Sequence, residues 1–297
     1  MKPKTDISFI PNILTIAGSD SSGGAGIQAD IKSISANGGY ACSVITALTA
    51  QNTQGVLDIL PVPETHIEHQ LDAVFQDIHI DAVKIGMLPN EASISIVAQK
   101  LRQYQVTNVV LDPVMVATSG DELLASTAVS TLMNELFPLA TVITPNWHEA
   151  AVISKQPEPK TEQQFAEFCQ NLRTLDTPIL LKGGHSFSQH DTCDVLLNKE
   201  SQFTFHGQRI DTSNTHGTGC TLSSAIATYL GHKEHLVSAI SLSKHYITQS
   251  LNYADRLSVG HGHGPVNHMY LHPSQRALMF PTKEQSRITK PSYEVQL

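Results

Sequence analysis

The residues best suited to chemistry lie between positions 214 and 221, where the sequence reads NTHGTGCT. Gly217, Thr218, Gly219 and Cys220 stand directly before an apolar, helix-like run at 222–230. The first turn of a helix has N–H groups without internal partners, and glycine lets the backbone turn them toward a ligand. Such amides attract phosphate or a developing oxyanion, and they favour a cysteine thiolate. This segment therefore predicts anion chemistry with a potential base or nucleophile, Cys220, inside it.

Oxygen ligands for a metal ion follow two apolar runs of the chain. Asp112 ends one run, and Asn146 and Glu149 follow the next, three residues apart. Carboxylate and amide oxygens suit hydrated Mg²⁺. Each residue also has a structural alternative, because aspartate forms turns and caps helices, and Asn146 with Glu149 is typical of a capped helix start. Their joint placement after strands favours the metal interpretation.

A glycine-rich loop at 18–26 permits several interpretations. It is not a Walker A phosphate loop, since Gly24 stands where that motif requires lysine. Residues 24–29 fit a relaxed dinucleotide-binding fingerprint, but Gln51 stands where the acidic ribose partner is expected. A tight strand-to-helix turn explains the glycines equally well. Lys182 is similarly ambiguous, because a lysine at a strand end either contacts phosphate or extends along the surface.

Alternating apolar runs predict an α/β fold in which a mainly parallel sheet is covered by helices on both faces. The predicted strands occupy 12–17, 40–50, 82–85, 108–111, 141–144 and 179–181. The predicted helices occupy 27–36, 66–75, 91–104, 128–137, 162–175, 216–230 and 236–254. Apolar runs at 195–197 and 203–205 predict a small antiparallel hairpin late in the chain.

Open parallel sheets bind ligands beyond the carboxyl ends of their strands. Polar or flexible residues follow six predicted strands and are expected to converge on one crevice: Gly18, Gln51, Gly86, Asp112, Asn146 and Gly183. The sequence has no repeat and no interdomain linker. One domain is therefore expected over 12–270, with terminal extensions at 1–11 and 271–297.

The overall composition is typical of a globular protein, with 40% apolar and 15% charged residues among 297. A formal net charge of -8 without any long basic run lacks the electrostatic signature of a nucleic-acid-binding protein. Four widely spaced cysteines argue against a disulfide framework and a structural zinc site. No stretch is typical of a signal peptide or a membrane span, so a cytoplasmic enzyme is expected.

Taken together, these motifs resemble the ribokinase-like superfamily, and within it the hydroxymethylpyrimidine/phosphomethylpyrimidine kinases of thiamine biosynthesis. The resemblance runs from about residue 12 to 268, through segments reading AGSD (17–20), GGAGIQAD (23–30), VITA (44–47), AQNT (50–53), KIGM (84–87), DPVM (112–115), TPN (144–146) with Glu149, KGGH (182–185), NTHGTGCT (214–221) and GHGHGPV (260–266). It implies a ribokinase-like fold and a homodimeric kinase that uses ATP and Mg²⁺. The implied substrates are 4-amino-5-hydroxymethyl-2-methylpyrimidine and then its monophosphate. No nucleic acid or membrane is expected as a partner.

The resemblance also implies roles for individual residues. The residues expected at the pyrimidine are Gly18, Asp30, Gln51 and Met87. Those expected to organise Mg²⁺, largely through water, are Asp112, Asn146 and Glu149. Those expected to face the nucleotide are Lys182, Asn146 and Thr215. The anion hole is expected at Gly217, Thr218, Gly219 and Cys220. Many superfamily members carry an aspartate base where Cys220 stands, so a Cys220 thiolate is expected to accept or position the hydroxyl proton of the substrate.

Several other functions remain open at this point. The closest is a pyridoxal or pyridoxine kinase, which shares the Gly-Thr-Gly turn, although Gln51 and Met87 favour the aminopyrimidine. A dinucleotide-dependent oxidoreductase that binds its cofactor at residues 24–29 is a second alternative, but it assigns no function to residues 214–221. A relative acting as a lyase on hydrated nicotinamide cofactors, or a catalytically silent pyrimidine-binding protein, is a third.

Overall fold

The computed structural model describes residues 9–115, 128–183 and 191–270. Its strands in these ranges are β1 (Asn12–Asp20), β2 (Tyr40–Asn52), β3 (Gly55–Pro61), β4 (Ala82–Ile85), β5 (Val109–Leu111), β6 (Val142–Ile143), β7 (Ile179–Leu181), β8 (Asp191–Leu197) and β9 (Gln202–Gln208). Its α-helices are α1 (Gly26–Ala36), α2 (Glu64–Asp77), α3 (Glu91–Gln103), α4 (Ala128–Glu135), α5 (Trp147–Ser154), α6 (Glu162–Leu172), α7 (Thr218–Gly231) and α8 (Leu236–Asn252). Short 3₁₀ helices span Phe137–Leu139 and Ala254–Arg256.

The described strands form a single sheet in the order β3-β2-β1-β4-β5-β6-β7-β8-β9. Pairing is parallel from β2 through β1, β4, β5 and β6 to β7. At one edge β3 pairs antiparallel with β2, and at the other β7, β8 and β9 pair antiparallel. The predicted mainly parallel sheet with a late hairpin is confirmed. Its parallel centre aligns the carboxyl ends of six strands along one edge.

Helices cover both faces of this sheet because its strands are apolar on both sides. Leu14 of β1 belongs to the core on one face, with Leu71 of α2 and Leu101 of α3. The neighbouring Ile13 belongs to the core on the opposite face, with Ile226 of α7. Successive side chains of a strand point to opposite faces, so one apolar run supplies both cores. Helices α2 to α6 therefore pack on the face that contains Leu14, and α1, α7 and α8 pack on the face that contains Ile13.

Strand β3 is an element that the sequence-based prediction missed. It forms the edge of the sheet, and its Leu57 and Leu60 side chains are 79% and 61% exposed. The segment therefore lacks the alternation of buried and exposed residues that identifies a strand in a sequence. Its existence depends on pairing with the extended end of β2, where Leu48 lies opposite Leu60.

Some predicted features lie outside the described residues. They are the extension at 271–297, most of the extension at 1–11, and Gly184 and His185 of the KGGH segment. Within the described ranges, no helix is both long enough and apolar enough to cross a lipid bilayer.

Candidate active site

The carboxyl ends of the parallel strands meet beside the N-terminus of α7. Asp112 follows β5, Lys182 follows β7, and Lys182 Nζ lies 2.8 Å from Asp112 Oδ1. A Cβ placed on Gly219, in the first turn of α7, would lie 3.3 Å from Lys182 Nζ and 3.4 Å from Asp112 Oδ2. The sheet thus brings together three groups that are far apart in the chain, at the edge where ligands of such sheets bind.

One glycine-dependent contact joins α7 to the loop after β1, and a second holds the end of that loop against β1. Gly217 caps α7 with a φ of 78°, and a Cβ there would overlap the carbonyl oxygen of Gly24. Gly26 has a φ of 55°, and a Cβ there would overlap the carbonyl oxygen of Gly18. Only glycine adopts these conformations without strain and leaves room for the facing backbone. The first amides of α7 are therefore held beside the loop and beside Lys182.

Thr215 and Thr218 form the turn that leads into α7. The Thr218 hydroxyl donates to the Thr215 carbonyl oxygen at 2.6 Å. Thr215 is exposed, whereas Thr218 is half-buried. This bond orders the turn, and it leaves the Thr215 side chain accessible to a ligand at the same edge.

Asp20 and His216 lock the glycine-rich loop to α7, and sequence reasoning did not single them out. The Asp20 carboxylate accepts hydrogen bonds from the amides of Ser22, Gly24 and Ala25 and from the Ser22 hydroxyl, at 2.8–3.1 Å. His216 Nε2 lies 2.8 Å from Asp20 Oδ2, so this nitrogen carries the proton. Burial would raise the pKa of Asp20, but these bonds, that of His216 above all, hold it well below its usual range. An aspartate directly before a Ser-Ser-Gly-Gly turn is a signal that identifies this role.

Cys220 is half-buried in the first turn of α7, and the Gly26 amide donates a hydrogen bond to it. Burial raises the pKa of the Cys220 thiol to about 11, and the ammonium of Lys84 offsets this only in part. The nearby carboxylates of Asp30 and Asp112 raise the pKa further. The thiolate expected from the helix N-terminus is therefore not the form that these surroundings favour. Desolvation outweighs the Lys84 ammonium and the Gly26 hydrogen bond, so the raised pKa favours the thiol over the thiolate at neutral pH.

Asp112 follows β5 and is bonded by several neighbouring side chains. Besides Lys182, its oxygens accept hydrogen bonds from Thr144 Oγ1 at 3.0 Å and Ser223 Oγ at 3.2 Å. Burial would raise the pKa of Asp112, but the ammonium of Lys182 holds it below its ordinary value. Glu149 Oε2 lies 4.0 Å from the same ammonium, yet burial raises the pKa of Glu149. One lysine thus lies close to two buried carboxyl groups.

Asn146 and Glu149 begin α5 as a capping box. Asn146 Oδ1 accepts a hydrogen bond from the Glu149 amide, and Glu149 Oε2 accepts one from the Asn146 amide, each at 2.8 Å. The capped helix start, one of two interpretations of this pair, is present. Across the described part of the chain, no three His, Cys, Asp or Glu side chains are grouped to hold a metal ion directly.

Asp30 lies beneath the site and is completely buried. Its oxygens accept hydrogen bonds from Thr15 Oγ1 at 2.6 Å, Ser224 Oγ at 2.7 Å and Lys84 Nζ at 2.7 and 2.9 Å. Direct contact between Asp30 and a pyrimidine, as the resemblance implied, does not fit this geometry, because protein donors already surround the carboxylate. Asp30 therefore supports the site from below.

Gly18, Gln51 and Met87 adjoin the loop side of the site. A Cβ on Gly18 would lie 3.0 Å from Met87 Sδ, so the thioether packs directly on the backbone there. Gln51 Nε2 lies 3.5 Å from His216 Nε2, so the end of β2 is close to the residue before the cap of α7, although both nitrogens are donors. A flat ring with polar edges could therefore contact methionine and an amide side chain together.

The fold and this site define a phosphotransferase of the ribokinase-like class. A family model described as phosphomethylpyrimidine kinase matches residues 20–267. The chain belongs to the phosphomethylpyrimidine kinase family. This assignment sets aside the dinucleotide-dependent oxidoreductase, and the loop at 24–29 instead packs against α7.

Individual relatives agree with the family assignment. The chain is 46% identical over 260 residues to the hydroxymethylpyrimidine/phosphomethylpyrimidine kinase of Escherichia coli (strain K12), covering 87% of this chain and 97% of that protein. It is 48% identical to the thiamine biosynthesis bifunctional protein ThiED of Geobacter sulfurreducens, covering 87% of this chain and 52% of that protein. The solved ADP complex of Bacillus subtilis pyridoxal kinase has a TM-score of 0.81 and 34% identity, covering 89% of this chain and 100% of that one.

The raised thiol pKa predicts how Cys220 reacts with an alkylating agent. Because only the thiolate reacts, iodoacetamide should modify Cys220 slowly at neutral pH, and the rate should rise about tenfold per pH unit until the pH approaches about 11. Mass spectrometry of peptides distinguishes Cys220 from Cys42, Cys169 and Cys193. The urea-unfolded chain is the control, and there the rate should level off near the ordinary pKa of 9.0. A folded-state inflection near neutral pH would contradict the assigned protonation state.

Proposed function

We propose that this kinase transfers the γ-phosphoryl group of ATP to 4-amino-5-hydroxymethyl-2-methylpyrimidine and then phosphorylates the monophosphate to the diphosphate, in thiamine biosynthesis. The observation that carries the proposal is the contact of Lys182 and Asp112 with the first turn of α7, which contains Cys220. Family membership and the names of the relatives support the substrate. We place this activity in one domain spanning 12–270.

The pyrimidine occupies the loop side of the site in this proposal. The Gln51 amide offers both a donor and an acceptor to the ring nitrogen and exocyclic amine, and Met87 packs on the ring face above Gly18. Gln51 Nε2 lies 3.5 Å from His216 Nε2, close to the start of α7. The hydroxymethyl group then lies toward Cys220. Asp30 supports this arrangement from below rather than by contact.

The nucleotide phosphates occupy the opposite side, near Lys182. The Lys182 side chain is 17% exposed, so its ammonium has access to a ligand while it remains paired with Asp112. Together with the amides of Gly217, Thr218 and Gly219, it stabilises the negative charge on the migrating phosphoryl group. Thr215 and Asn146 border the nucleotide on either side of this ammonium.

Mg²⁺ fits this site as an ion held through water. Asp112, Asn146 and Glu149 provide hard oxygen donors, but each already accepts a hydrogen bond within the protein. Lys182 Nζ lies 2.8 Å from Asp112 Oδ1, so a metal ion bound directly to that oxygen would compete with the ammonium. A hydrated ion bridged to these residues satisfies both constraints. When bound, Mg²⁺ neutralises phosphate charge.

Cys220 positions the hydroxymethyl group in this proposal. The hydroxyl oxygen attacks the γ-phosphorus, the bond from that phosphorus to the β-γ bridging oxygen breaks, and ADP leaves. The hydroxyl proton departs to water or phosphate, since a thiol with a pKa of about 11 is mostly protonated already. Phosphoryl transfer depends mainly on positioning and charge neutralisation, so a strong base is not required.

The function is tested by mass spectrometry of the pyrimidine after incubation with ATP and Mg²⁺. We expect both the monophosphate and the diphosphate, and ADP formation that requires the pyrimidine. Similarity to pyridoxal kinase justifies a parallel reaction with pyridoxal. If pyridoxal has the higher kcat/KM, the chain is primarily a pyridoxal kinase. ADP formation without either phosphorylated product would contradict both functions.

Replacement of the Cys220 thiol tests its role. Cys220→Ala should lower kcat by about 10²-fold, as expected when a reacting group loses the contact that positions it, while the KM for ATP changes little. Cys220→Ser keeps a polar hydrogen-bonding group, so it should recover part of the lost kcat. Steady-state kinetics of the three proteins decide the matter, and an unchanged kcat in Cys220→Ala would eliminate any role in turnover.

We further propose that the kinase is a cytoplasmic homodimer. Four free cysteines suit a compartment in which thiols stay reduced. Leu48, Leu57 and Leu60 form an exposed apolar patch on the β2–β3 edge, with exposed fractions of 44%, 79% and 61%. Apolar side chains exposed at the edge of a sheet are typical of a protein–protein contact, and a second copy would cover them.

A charge placed in the patch should separate the dimer. We expect Leu60→Glu to sediment as a monomer at concentrations at which the wild-type protein sediments as a dimer, because a buried unpaired carboxylate opposes association. Val152→Glu is the control, since Val152 is 39% exposed and lies on α5, away from this edge. A dimeric Leu60→Glu protein would show that the contact lies elsewhere.

A further inference from the structure

A second Asp–Lys pair lies below the site, and the proposed reaction does not use it. Lys84 and Asp30 are both fully buried, with Lys84 Nζ 2.7 and 2.9 Å from the two Asp30 oxygens. Thr15 and Ser224 complete the bonding of the carboxylate. Burying such a pair is costly, and well-packed apolar residues often replace one without loss of stability. Its presence at this position therefore calls for a role other than stability.

The ammonium of Lys84 extends toward the carboxyl edge of the sheet. Lys84 is in β4, and a Cβ placed on Gly86, directly after β4, would lie 2.6 Å from Lys84 Nζ. Any larger residue at position 86 would have to displace the ammonium. A glycine at the end of β4 thus provides the space in which the charge approaches the site.

The same pair is bonded to α7 close to the reacting groups. Ser224, which donates to Asp30 at 2.7 Å, lies one helical turn after Cys220. The positive charge of Lys84 also lowers the pKa of Cys220 against the effect of burial. The ammonium is therefore close enough to Cys220 to influence charge there, although it is enclosed by protein.

We propose that Lys84, oriented by Asp30, is a positioning residue for phosphoryl transfer that acts from beneath the first turn of α7. Its fixed positive charge stabilises the anion site formed by the α7 amides, and the Ser224 bond holds those amides in place. Lys84 does not touch the substrate. Its role differs from that of Lys182, whose ammonium is partly exposed. The inference rests on the proposed kinase function and deepens it.

The experiment compares binding of a ground-state nucleotide with that of a transition-state mimic. The affinities of ADP and of ADP with aluminium fluoride are measured by calorimetry, with Mg²⁺ and the hydroxymethylpyrimidine present. The variant is Lys84→Met combined with Asp30→Asn, which removes both charges, while the new amide keeps a polar group beside each hydroxyl: its oxygen accepts from one of Thr15 and Ser224, and its NH2 group donates to the other. The preference for aluminium fluoride is the ratio of the affinity for ADP with aluminium fluoride to the affinity for ADP alone. We expect this ratio to fall about 10²-fold, comparable to the loss of one charge-stabilising donor, with little change in the affinity for ADP.

Matched controls separate electrostatics from folding. Lys100→Met removes a lysine that is 4% exposed and ion-paired with Asp72 and Glu68 on α2, remote from α7. Its preference for aluminium fluoride should equal that of the wild-type protein. A role in stability alone would leave this preference unchanged in the Lys84 variant as well, and that result would overturn the proposal.

A milder change covers the case in which the double variant does not fold. Ser224→Ala removes only the bond between Asp30 and α7, and it should lower kcat about tenfold, as expected for a hydrogen bond to a charged group. Ser243→Ala is its control, because this buried serine of α8 donates to the Ala239 carbonyl of its own helix. Equal kcat values in the two serine variants would overturn the proposal. If the wild-type protein forms the pyrimidine phosphates and the variants behave like it, only the role of Lys84 is refuted. If the wild-type protein forms no pyrimidine phosphate, the proposed function itself is refuted.

Discussion

The start of α7 is the constraint on which the site depends, because helix amides act on an anion only when they are held still. Two consecutive serines hold it: Ser223 donates to Asp112 and Ser224 donates to Asp30. Each of these buried carboxylates is paired with a lysine. A carboxylate without its lysine would be a desolvated charge, and a lysine without its carboxylate likewise. The helix, the acids and the lysines therefore have to be present together.

Backbone-to-backbone contact places the other side of the site. Asp20 organises the loop after β1, and His216 ties that loop to the residue before the α7 cap. The contact is close because Gly24 and Gly217 carry no side chains. A rigid loop and a rigid helix start give the proposed pyrimidine and phosphate sites a defined separation. Such preorganisation favours transfer between two bound groups more than tight binding of either one.

The electrostatics of the site favour positioning over proton abstraction. Burial and neighbouring carboxylates keep Cys220 protonated, while Lys182 and Lys84 supply fixed positive charge on two sides of α7. The Lys182 side chain has access to solvent, whereas the Lys84 side chain has none. In the proposed reaction, these groups would stabilise developing phosphate charge without having to reorganise.

The sequence by itself determined the alternating α/β pattern, the glycine-containing turn into α7 around Cys220 and the strand-end placement of Asp112 and Lys182, because periodicity and glycine placement are local properties. Only the tertiary structure decided which charges are buried together. Asp30 looked like a substrate residue, yet the packing of α1 against α7 encloses it with Lys84. The edge strand β3 and the raised pKa of the Cys220 thiol could not be predicted from the local sequence either. A strand without a buried face exists through its partner, and a pKa depends on desolvation by residues distant in the chain.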